Sequence, residues 1–96
     1  MENWVFLVLK RKLIKFASDS KMDIFRDDKL FFILRNVNHY IIIPRHHIGY
    51  FLKVYFVDCQ TYKILRTYKT NTNYYKPMLR KIRFLNKRLN TIKIEH

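Results

Sequence analysis

Phe51-Leu-Lys-Val-Tyr-Phe-Val-Asp-Cys-Gln-Thr-Tyr-Lys-Ile-Leu-Arg-Thr-Tyr68 is the stretch that decides the fold. Residues 51–57 and 62–68 are rich in β-branched and aromatic side chains that alternate with polar ones, the pattern of half-buried strands. Between them, Asp58-Cys59-Gln60-Thr61 reads as a hairpin turn, though without an Asn-Gly or Asp-Gly pair. Working outward, 30–34 and 40–43 are two more short apolar runs of strand type. Nearer the start, Val5, Leu9, Leu13, Phe16 and Ala17 recur every three to four residues among Lys10, Arg11, Lys12 and Lys15. That spacing predicts an amphipathic helix over 3–17. Residues 22–29 read as a loop or a short second helix opened by acids.

These elements make an α+β fold with an N-terminal helix, a small antiparallel sheet of about three strands over 30–69, and an extended basic C-terminal tail. The domain is expected to occupy 1–75. Residues 76–96 carry many cations and too few apolar residues for a core, so they are expected to form an RNA-associated tail that orders on its partner.

Charge points to the partner. Lys and Arg total 20 against 7 Asp and Glu, a net +13, and a polyanion would offset that self-repulsion. Five of the acids precede Lys29, and from Lys29 to Lys93 only Asp58 stands among fourteen cations. A solvated basic face over core aromatics is the ordinary explanation of such residues, but this run favours RNA. Cations there are interleaved with aromatics, as phosphate contact combined with base stacking requires. The candidate RNA-binding residues are Arg35, Arg45, His46, Lys53, Lys63, Arg66, Lys76, Arg80, Lys81, Arg83, Lys87 and Arg88.

Other chemistries find little support. Arg45-His46-His47 with His39 and Cys59 has no zinc-type spacing. Asp27 and Asp28 are sequence neighbours, which do not flank a substrate as an acid/base pair must. The one glycine, Gly49, cannot make a Gly-rich phosphate cradle. Neither an enzyme nor a cofactor or metal site is expected. The single cysteine, Cys59, excludes an internal disulfide. The apolar run 4–9 is too short to span a bilayer, and it has neither the basic leader nor the cleavage site of a signal peptide.

The stretch 35–84 resembles the ribosomal protein S-nineteen family of the small ribosomal subunit. The residues that carry this are Arg35, then His39-Tyr-Ile-Ile-Ile-Pro44, Ile48-Gly49 and Phe51-Leu-Lys-Val-Tyr55, with one extra residue between Pro44 and Gly49. Phe6-Leu-Val-Leu-Lys-Arg-Lys-Leu13 is similar to the family's opening helix, and Tyr75-Lys-Pro-Met-Leu-Arg-Lys81 to its basic tail. The resemblance implies a structural constituent of the subunit head that binds rRNA near the decoding site and the inter-subunit bridge. Expected partners are rRNA, ribosomal protein S-thirteen and possible tRNA or large-subunit bridge elements, with no homo-oligomer.

Phe, Ile, Lys, Asn and Tyr total 45 residues and Gly, Ala, Pro and Arg 12. Such A/T-biased codon usage is expected of an organellar gene. A divergent mitochondrial member acting in the matrix fits it, with a plastid-type organelle as the alternative. The rival function is an accessory subunit of an organellar respiratory or ATP-synthase complex.

Overall fold

A computed structural model of the protein describes residues 4–45, 51–71 and 75–94. The chain runs α1 (Trp4–Asp19), β1 (Asp23–Asp27), β2 (Phe31–Arg35), β3 (His39–Pro44), β4 (Phe51–Asp58), β5 (Ile64–Asn71) and α2 (Tyr75–Ile94). The strands form one antiparallel meander in sequence order. The α+β expectation therefore holds, with five strands in place of three and a helix in place of the extended tail.

Period-two alternation gives the sheet two different faces. Phe32 lies opposite Ile43 and Leu34 opposite Ile41, Ile41 opposite Phe56, and Val54 opposite Tyr68. These residues, with the half-buried Tyr68 packed against them, form one cluster with Phe6, Leu9, Leu13 and Phe16 of α1 and Met78, Leu79, Ile82 and Leu85 of α2. Both helices thus pack on the same side of the sheet. The alternate residues Ile33, Tyr40, Ile42, Tyr55 and Val57 lie on the other face, paired among themselves across β2, β3 and β4.

Local chemistry substitutes for the scarce glycines. Helix α1 ends with Lys21 at φ 56°, with the Met22 amide bonded to the Ala17 carbonyl at 2.8 Å and Met22 buried. This is a Schellman-type cap with lysine in the place that glycine usually takes. The β4–β5 turn closes on the Asp58 side chain, whose Oδ1 accepts from the amides of Gln60 at 2.7 Å and Thr61 at 3.0 Å. Tyr62 takes its left-handed position at φ 59°. The turn was expected at 58–61; it extends further, and β5 starts at Ile64.

Residues 23–27 form an edge strand, not a loop or helix, and all five are exposed. A register shift between Ile24 and Arg26 breaks the alternation that would have announced it. The next turn rests on Asp28. Its Oδ1 accepts from the amides of Leu30 (2.8 Å) and Phe31 (2.9 Å), and its Oδ2 pairs with Arg26.

Residues 76–94 are the larger correction. The apolar side chains are few, but Met78, Leu79, Ile82, Leu85 and Leu89 fall on one arc of a 3.6-residue helix. Pro77 sits in the first turn, where a missing N–H costs nothing. Met78 and Ile82 are fully buried. Burying Met78, Ile82 and Leu85 is worth about 1.5–3 kcal/mol each. The like-charge neighbours Lys76/Arg80, Arg80/Arg83 and Arg83/Lys87 cost only about 0.2–0.5 kcal/mol per pair. Packing wins, and α2 belongs to the core.

Two predictions follow from these packing and turn contacts. Ile82→Ala should destabilise the isolated protein by about 2–5 kcal/mol in chemical denaturation, whereas a detached tail would give no change. Backbone donors and Arg26 lower the Asp28 carboxyl from 3.8 to about 2. Its contribution to the β1–β2 hairpin is therefore full above the ordinary carboxylate range and is lost as pH falls through about 2. NMR titration of the Asp28 carboxyl should give that low midpoint, and Asp28→Asn should remove the acid-dependent loss of hairpin order.

Candidate nucleic-acid interface

A polar cluster centred on the buried His39 and Asn86 fixes how α2 is turned. His39 is fully buried and its Nε2 donates to Asn86 Oδ1 at 2.8 Å. Asn36 anchors the β2–β3 turn by accepting from the amides of Asn38 (2.8 Å) and His39 (2.9 Å). From the same turn, Asn36 Nδ2 and Asn38 Nδ2 donate to Asn90 Oδ1 at 3.1 and 2.9 Å. Asn86 and Asn90 are one helical turn apart, so two hydrogen-bonded rungs set the azimuth of the helix. The buried His39–Asn86 rung tolerates little rotation, because a buried polar group withdrawn from its partner costs about 1–3 kcal/mol.

That azimuth turns the cations outward. Lys76, Arg80, Arg83 and Lys87 are spaced i, i+4, i+7 and i+11, which places them in one stripe; all four are exposed. Lys81 and Arg88, also exposed, flank the other side of Phe84, with Lys81 Nζ 5.5 Å from its ring centroid. Helix α2 contains no acid at all. Arg66 pairs in register with Phe56, which puts it on the helix-bearing side of β5. Lys63 lies in the β4–β5 turn.

Two other candidates belong to the opposite face. Arg35 is opposite Tyr40 and Lys53 opposite Lys69, all on the side of the sheet away from the helices. Sequence reasoning missed Phe25 and Arg26 there. Phe25 meets Tyr40 with ring centroids 5.2 Å apart, and Arg35 lies 4.9 Å over the Phe25 ring. The dipeptide Phe25-Arg26 carries the aromatic-plus-cation signal, but the bulge there hides the strand period around it.

Arg45 is differently employed. Its guanidinium donates to the Asp28 carbonyl at 2.9 Å, reaches Asp27 at 3.3 Å and covers the Phe6 ring at 4.8 Å. It closes the rim of the core between α1 and the β1–β2 turn. His46 lies outside the described residues.

Three of the acids are locally engaged, while Asp23 lies opposite Arg35 at the edge of the sheet. Asp27 pairs with Lys10 at 2.7 Å as well as with Arg45, Asp28 holds Arg26, and Asp58 is buried in its turn. None of these three lies on α2. Among the described residues no three His, Cys, Asp or Glu side chains converge as a metal site would require. No helix among them is long and apolar enough to cross a membrane.

No family model, no curated protein and no solved structure matches this chain.

Proposed function

We propose that the chain is a structural RNA-binding component of a ribonucleoprotein, holding RNA through the outer face of α2. The observation that carries this is the acid-free stripe of Lys76, Arg80, Arg83 and Lys87, bordered by Lys81 and Arg88 and held rigid by the Asn86 and Asn90 contacts. A fixed row of cations on a helix suits a phosphate backbone, which carries charge at regular intervals and releases condensed counterions when neutralised. Arg66 adds a cation on the helix-bearing side of β5. The structural resource spent here is positioning, and nothing in the stripe supplies a nucleophile or a proton-transfer pair.

The resemblance of 35–84 to the S-nineteen family supports a particle for this activity, the small ribosomal subunit of an organelle. The chain would there brace rRNA of the subunit head, in the mitochondrial matrix. The A/T-biased composition supports the organellar setting.

The test is binding to small-subunit rRNA across a salt series. Arg80→Ala, Arg83→Ala and Lys87→Ala together leave the helix intact, since alanine is its best former. Each neutralised phosphate contributes about 0.7–0.9 to the slope of log affinity against log salt, so the triple variant should flatten the slope by about two to three units. An unchanged slope, or a parent chain without affinity for the rRNA, would overturn the proposal.

A further inference from the structure

The open face of the sheet has an unusual make-up for a surface turned away from the core. An antiparallel sheet covered on one side normally presents polar residues on the other. Here that side carries Tyr40 and Ile42 on β3, Tyr55 and Val57 on β4, and Phe25 on β1. Phe25 is 50% exposed, and the two tyrosines are half-buried. Cations lie among the rings: Arg35 stacks over Phe25, Arg26 lies 5.0 Å over Phe31, and Lys53 and Lys69 face each other across β4 and β5.

We infer that this face holds unpaired nucleotides of RNA, with bases stacked on Phe25, Tyr40 and Tyr55 and phosphates against Arg35, Lys53 and Lys69. The inference rests on the RNA-binding reading and adds a second surface, on the opposite side of the molecule from α2. The occupant must be flat, aromatic and anionic at once. An unpaired strand is all three, whereas a duplex hides its base faces and a purely apolar protein surface would offer the guanidinium and ammonium groups no anionic contact.

The geometry suits such a strand. Tyr40 and Tyr55 are diagonal neighbours on adjacent strands, because Tyr55 is in register with Ile42, and diagonal residues lie about 7–8 Å apart. Phe25 leans across β2 to meet Tyr40 edge-on. The Arg35 guanidinium already lies on a ring, so a base can continue that stack on its free side. Beside Arg35 and Tyr40 the platform runs into a cleft of about 400 Å³, walled also by Lys21 and Asp23, which gives a base at the end of the row somewhere to enter. A protein with both faces occupied would tie a single-stranded segment to a neighbouring phosphate backbone.

The experiment compares an unstructured eight-nucleotide RNA with a blunt RNA hairpin, its strands joined by a nucleotide-free linker so that no base is unpaired, on the full chain. Changing Phe25, Tyr40 and Tyr55 together to Leu keeps apolar bulk but removes stacking. Octanucleotide affinity should fall about ten- to a hundredfold, while hairpin affinity stays within about twofold of the parent. Tyr40→Phe with Tyr55→Phe should retain parental affinity, because stacking survives. Ultraviolet cross-linking of the octanucleotide to the parent should label peptides that carry Tyr40 or Tyr55. Cross-links confined to α2, or an octanucleotide affinity indifferent to the Leu changes while the hairpin still binds, would overturn the inference and leave the α2 reading standing. Failure of both RNAs to bind the parent would overturn both.

Discussion

Helix α2 seated on the sheet is the contact on which the rest depends. Twenty cations against seven acids give a chain of this length a strong reason to expand, and α2 holds a large share of them in one run. Met78 and Ile82 anchor that run in the same core as Phe32, Ile41 and Phe56. The His39–Asn86 and Asn38–Asn90 hydrogen bonds then choose which side faces inward. Apolar burial supplies the stabilisation and the amides supply the angle. Without the first there is no helix in place, and without the second the stripe has no fixed direction.

The acids complete the arrangement by where they are absent. Asp27 and Asp28 gather Lys10, Arg26 and Arg45 at the β1–β2 end, and Asp58 is buried in a turn. Besides the exposed Arg11, Lys12 and Lys15 of α1, the outer arc of α2 and the open face of the sheet keep an excess of positive charge among the described residues. They differ in kind. The helix offers charge with little aromatic area, suited to a backbone, and the sheet offers rings bordered by charge, suited to bases. Since the core lies between them, the two proposed RNA contacts would fall on opposite faces of one small chain.

The readable parts of the sequence were those with a clean period. Leu9, Leu13 and Phe16 announced α1, and the alternation of Lys53, Val54, Tyr55 and Phe56 announced β4. Strand β1 escaped because a bulge at Phe25 breaks period two and no residue of it is buried. Helix α2 is hard to read because its apolar residues are few among many cations, and only their spacing at 78, 82, 85 and 89 signals it. Charge alone located the α2 cations. It could not distinguish them from Arg45, whose partners Asp27 and Asp28 are about half a meander away in sequence and meet it only through the fold.

Amide hydrogen exchange on the free protein tests this account most directly. Amides in one cooperative unit share its protection, so Ile82, Leu85 and Asn86 should exchange as slowly as Leu34, Ile41 and Phe56 before any RNA is added. Exchange of the α2 amides at the rate of an unstructured peptide, with protection appearing only on addition of RNA, would contradict it.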